Sequence, residues 1–303
     1  MTHRLACAVL CAFAAQAHAG TPINETRPLD ARGDVTIDNV KGRIEVRAWD
    51  RNEVRIEGTL GAGVERLEIS GDASDLAVRV RYPNRGGGLG VFKGGERKEP
   101  TDLRVTVPRR VNLGIDAVSA DVDVEGVAGG ELAIDAVSGS VRAVGAPSDA
   151  DIESVSGDVT ATLNSREVDI DTVSGTLVLR GRLDGDVSIE TVAGDVDVDV
   201  HDGVHVRSLS VASVSGDVRV RTALAAGGAM EFESVSGDID LHLPRATSTR
   251  LEASTFSGGL SATGARVDTP EHGPGRSIDH RYVSGEGRIE LETFSGDARV
   301  VIE

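Results

Sequence analysis

Acidic side chains recur beside serine and glycine along this 303-residue chain, at spacings of 18 to 22 residues. The residue after the glycine of each copy is Asp158, Asp195, Asp217, Asp238 or Asp297, with Asp121 following Ala120. Three consecutive copies carry it, at Asp195, Asp217 and Asp238. Carboxylates stacked in register repel one another, and a calcium ion between them would relieve that repulsion. Calcium needs about six to eight oxygen ligands. The column breaks at Ser140, Thr176 and Gly259, and the Gly-Gly-x-Gly-x-Asp nonapeptide of calcium-binding β-rolls is absent. The residues therefore predict no metal site. A calcium-stabilised surface module at Asp195, Asp217 and Asp238 is the alternative.

A second acidic column precedes the first within each copy: Asp116, Asp135, Glu153, Asp171, Glu190, Glu233 and Glu292, interrupted by Ala212 and Ser254. By alternation it faces solvent. There it serves either as a charged face that blocks association or as an acidic surface for a basic partner.

Catalytic constellations do not stand out. The chain has no G-x-S-x-G elbow and no H-E-x-x-H helix motif. Asp197, Asp199, His201 and His205 share strand parity and could cluster around a metal, but alternating polar residues on a surface strand give the same pattern. Carboxylate pairs are so abundant that they carry no information about glycoside chemistry. The expectation is a protein that is not an enzyme and binds no cofactor. A carbohydrate-binding or carbohydrate-active β-helix is kept as a further alternative.

The elements that must position these residues are read from the repeat itself. Each copy has a grammar of apolar, acidic, small, apolar, as in Ile170-Asp-Thr-Val173. A Ser-Gly-Asp turn follows, and then a second alternating run such as Val196-Asp-Val-Asp-Val200. Alternation of period two predicts a strand with one face buried. Identical residues at identical places favour stacked coils over hairpins, because stacking sets like on like about 4.8 Å apart and buries a core no single copy could bury. The expected architecture is all-β: a parallel β-solenoid (β-helix), a single elongated domain of coils of about 18–22 residues.

The turn glycines are Gly139, Gly157, Gly175, Gly194, Gly216, Gly237, Gly258 and Gly296, expected at positive φ, which glycine adopts without steric cost. In the copy Ile152–Ala161, the apolar residues Ile152, Val155, Val159 and Ala161 are expected inward and Glu153 outward. The step of 38 residues between Ser257 and Ser295 suggests one skipped copy, with Arg281–Ile289 its loose remnant.

Three regions follow. Residues 1–19 read as a secretory signal, with Arg4, an apolar run from Leu5 to Ala15, and Ala17-His-Ala19 before the cut. Residues 20–110 form an N-terminal β region with a first coil and a Gly-rich loop at 83–100. Residues 111–303 hold the regular repeats. Both cysteines, Cys7 and Cys11, lie in the signal, so the mature chain is expected to have no disulfide. It has no apolar stretch of the roughly 20 residues needed to span a bilayer. Formal net charge is −17, a poor match for nucleic acid or an anionic membrane surface.

The repeated VSGDV phrase, the opening coil IDNVKGRIEV with Trp49, the strand ending in RYPN, and LRVTVP before the array together resemble the putative-adhesin family of bacterial exported proteins, largely a domain of unknown function. The resemblance implies a right-handed coil and a location in the cell envelope, in the periplasm, at the surface or secreted. It brings no catalytic residues. The function it implies is a scaffold or interaction protein, an adhesin by family name, whose partner is a protein or glycan of the envelope.

Overall fold

The computed structural model describes residues 20–83 and 99–303. The expected signal at 1–19 and nearly all of the Gly-rich segment 83–100 lie outside the described residues. What is described is all-β, with twenty-two strands joined in one continuous hydrogen-bonded sheet.

Parallel pairing stacks the repeats with like residues in register. Ile152 lies between Ile134 and Ile170, and Ile170 beside Ile189. On the second run of each copy, Val159 lies between Val141 and Leu177, and Val196 between Leu177 and Val218. All of these side chains are buried. The interior is thus a set of aliphatic ladders, which explains why the chain needs so few large rings: β-branched and aliphatic side chains fill layers a single strand spacing thick. The expected inward positions Ile152, Val159 and Ala161 are indeed buried, and Glu153 is exposed.

The N-terminal end departs from the coil. Asp34–Trp49 is the first coil strand, pairing in parallel with Asn112–Ala128 on one side. Its other side takes Asp75–Arg81 and Thr101–Pro108, again in parallel. Beyond them the direction reverses: Arg66–Gly71 and Glu53–Leu60 add antiparallel, and Thr21–Pro28 pairs antiparallel with the latter. These short strands occupy the sheet edge, with Pro22 and Pro28 in the outermost one, and a proline-bearing strand makes a poor template for further pairing.

At the C-terminal end, spatial order differs from sequence order. Gly287–Thr293 inserts between Ala223–Ser236 and Thr249–Thr255, so Leu291 has Phe232 on one side and Ala253 on the other. Ala298–Ile302 likewise inserts between Ile239–Leu243 and Leu260–Ala262. No copy has been skipped. The coil holding Ser257 is the outermost, and the last coil of the chain slides beneath it. Arg276–Tyr282 pairs antiparallel with Thr249–Thr255 and caps the end, so Arg281–Ile289, expected as the loose remnant of a skipped copy, is split between the end of that strand, a turn, and the start of Gly287–Thr293. Val283, in the phrase that mimics the repeat, sits in a turn at φ 56°.

Candidate functional site

Ile152 and Val155 stand three residues apart. In an unbroken strand an odd separation places side chains on opposite faces, so Ile152 inward requires Val155 outward. Val155 is 48% exposed, which overturns its expected inward position, while the neighbouring Ser154 is 3% exposed and takes the inward place. The same arrangement repeats along the coil. Val40, Val118, Val137, Val155 and Val173 are exposed at equivalent positions, followed by Val192, Val214, Val235, Phe294 and Phe256. Among the described residues, every exposed large hydrophobic side chain except Val283 belongs to this one column. At its C-terminal end the rings of Phe294 and Phe256 stack at 4.9 Å between centroids and 5° between planes. That contact joins the inserted last coil to the coil outside it.

Two residues earlier in each copy stands the acidic column, pointing outward as expected. Pairing extends it by one member, Asp38, which lies beside Asp116. Between the apolar and acidic columns runs a line of small hydroxyl residues, Ser154, Thr172, Thr191, Ser213, Ser234, Thr293 and Thr255, all buried. All but Thr255 line the floor of a groove of about 720 Å³ that runs from Glu153 and Val155 to Phe256 and Phe294. Thr172 Oγ1 donates to Thr191 Oγ1 of the next coil at 3.0 Å, while Ser234 Oγ donates to the Gly237 carbonyl at 3.2 Å and closes its own turn.

Charge in the acidic column is crowded. Burial, and then the carboxyls of Asp38 and Asp135 on the adjacent coils, push Asp116 up to about 6. Asp171 is raised by burial and by Asp169, Glu190 and Glu153. Toward the N-terminal end, by contrast, arginines neutralise acids across coils: Arg47 reaches Asp123 at 3.1 Å, Arg142 reaches the same carboxylate at 3.0 Å, and Arg79 reaches Asp38 at 2.7 Å. Glu153, Asp171, Glu190, Glu233 and Glu292, along the groove, have no ion-pair partner among the described residues.

The turn column has a separate structural job. Asp195, Asp217 and Asp238 do stand on consecutive coils. Each uses Oδ1 to accept the backbone N–H of the next turn: Asp217 N donates to Asp195 at 3.0 Å, Asp238 N to Asp217 at 3.1 Å, and Asp297 N to Asp238 at 2.8 Å. Asp121 and Asp158 do the same for Ser140 and Thr176. Among the described residues, no group of three or more His, Cys, Asp and Glu side chains is arranged to hold a metal ion. His201 lies in a turn that separates Asp197 and Asp199 from His205.

The glycines divide. Gly139, Gly157, Gly175 and Gly216 have positive φ, as expected. Gly194, Gly237, Gly258 and Gly296 do not, which corrects that expectation for half of the set. What all eight share is lack of room. A Cβ on Gly194 would fall on the carbonyl of Gly175, and one on Gly296 on that of Gly237. The glycines stack on one another, and the close backbone approach excludes any side chain.

The described residues include no helix long and apolar enough to cross a membrane. Among solved structures, the chain is similar to a "putative lipid binding protein" from Parabacteroides distasonis ATCC 8503 (11% identity, TM-score 0.52), with 93% of this chain and 97% of that one covered. It is also similar to a "putative adhesin" from Parabacteroides merdae ATCC 43184 (11%, TM-score 0.49, 93% and 97% covered) and one from Bacteroides fragilis NCTC 9343 (11%, TM-score 0.41, 92% and 96% covered). At this identity the first of these speaks to the fold alone. No curated protein matches the chain. The family profile described as Toastrack DUF4097 matches residues 26–226 and again 184–301, so together the matches span nearly all of the described coil, and the chain belongs to the Toastrack DUF4097 family.

Proposed function

We propose that this protein is an exported, non-catalytic interaction scaffold of the bacterial envelope, adhesin-like in its family, and that its working surface is the apolar column with its flanking carboxylates. One observation carries the reading: among the described residues, the exposed large hydrophobic side chains other than Val283 gather in a single line. Contiguous exposed apolar surface is costly to keep in water and marks interaction sites. A coil built only for stability would carry polar residues at Val155, Val173 and Val192, as it does at Glu153 two positions earlier. The leader-like residues 1–19 support export. The coil is assigned a right hand, since crossovers between parallel strands of one sheet are right-handed in nearly all proteins.

Site-specific photo-crosslinking in the native host tests this. A photoreactive residue at position 173, on the column, should capture a partner. One at position 160, exposed on the other run of the coil, should not. Equal capture at both positions, or capture at neither, removes the reading.

A further inference from the structure

We infer that the groove between the valine and carboxylate columns takes a cationic amphipathic helix, laid along the coil axis with aliphatic side chains on the valines and Lys or Arg on the carboxylates. This rests on the proposed use of that face and names the chemistry of its occupant.

Spacing argues first. Both columns repeat once per coil, about every 4.8 Å, and they stand roughly 6.8 Å apart across the strand. An extended peptide offers same-face side chains about every 6.8 Å and falls out of step after one coil. An α-helix offers a stripe with a turn of 5.4 Å, which differs by only about 0.6 Å per coil. Adjacent stripes on its cylinder can address adjacent columns. From Val155 to Phe256 the column spans seven coils, roughly 29 Å, or about 19 helical residues at 1.5 Å each.

Hydrogen bonding argues second. The strands below the groove already pair in parallel on both sides, as Glu153 does with Asp135 and Asp171. No ladder edge is open there for strand addition, which leaves side-chain docking.

Charge argues third. Glu153, Asp171, Glu190, Glu233 and Glu292 line the groove without ion-pair partners among the described residues, whereas Asp38, at the far end of the same column, is paired to Arg79. A second copy of this chain would bring the same carboxylates and a net charge of −17 against them. A basic partner neutralises them as its apolar stripe covers the valines.

The test uses the full mature chain and an 18-residue Leu/Lys peptide with its leucines on one stripe, followed by fluorescence anisotropy and circular dichroism. The expected result is saturable one-to-one binding with gain of helix. Affinity should fall about tenfold in the double variant Val173→Asn, Val192→Asn, from lost apolar burial, and should also fall in Glu190→Gln, Glu233→Gln. A Leu/Glu peptide or a scrambled Leu/Lys isomer that binds equally well would overturn the inference. So would unchanged affinity in the valine variant, which would mean attraction by charge alone. A wild-type dimer in sedimentation that the valine variant abolishes would assign the groove to a second copy instead. Capture at position 173 in the host together with no peptide binding would remove the helix and leave the proposed surface standing.

Discussion

The backbone N–H of Asp217 donates to Oδ1 of Asp195 across 3.0 Å, and Asp217 in turn accepts from Asp238. The carboxylates that stack from coil to coil therefore meet amide hydrogens as well as one another. Asp217→Ala should lower stability by about 0.5–1.5 kcal/mol, the net worth of one such bond. Asp217→Asn, which keeps the acceptor oxygen, should recover most of it. Urea midpoints of the three proteins check this.

A consequence concerns calcium. With Oδ1 of each turn aspartate already engaged by backbone, too few oxygens converge for the six to eight that calcium takes. The melting temperature should not move between chelator and millimolar calcium. A rise of several degrees would mean that ions, and not amides, hold the column together.

Gly194 separates two reasons for glycine. Its φ is not positive, so alanine meets no backbone strain there, yet the added Cβ would strike the Gly175 carbonyl. Gly194→Ala should cost about 1–3 kcal/mol or more, as overpacking does. A melting temperature equal to that of wild type would show that the coils can part to admit a methyl group.

Ile152 and Val155 test the two faces of one strand. Ile152→Asp buries a charge in an aliphatic ladder and should prevent folding. Val155→Asp places one on the exposed column and should leave a folded, soluble protein. Circular dichroism and size-exclusion chromatography distinguish the two outcomes. An unfolded Val155→Asp chain would return that residue to the core.

The crowded acids predict a pH dependence of unusual sign. Asp116 is pushed up to about 6 by burial and by Asp38 and Asp135, so between the ordinary carboxylate range and about pH 6 the folded protein binds more protons than the unfolded chain. Stability then falls as pH rises through that window and is regained on acidification. Asp123, held below the usual range chiefly by Arg47, acts oppositely and loses its contribution at lower pH. Chemical denaturation of wild type should show a gain from pH 7 to pH 5 that Asp116→Asn reduces. An identical pH profile in the variant would place the effect elsewhere.

Much of this molecule was legible from spacing alone. Ile134, Ile152 and Ile170 recur at one place in successive copies, and parallel stacking follows because like residues fit like residues at one strand spacing. The apolar character of Val155 points inward while its parity points outward, and parity decides. Its three-residue separation from Ile152 already assigned it to the other face, and Ser154, small and polar, gave no hint that it was the inward residue. Positive φ accounts for only half of the turn glycines; the close approach of a neighbouring coil, which requires the rest, leaves no mark in one coil's sequence.

Period and alternation, and with them the aliphatic ladders and the outward carboxylates, are written in the order of residues, since they depend on local geometry repeated along the chain. Which coil lies on which emerges only on folding. The coils are nearly interchangeable, so their order is set by long-range pairing. That pairing places Leu291 between Phe232 and Ala253, inserts the last coil beneath its predecessor, and brings Phe294 against Phe256. The groove that ends on those two rings exists because strands far apart in sequence became neighbours.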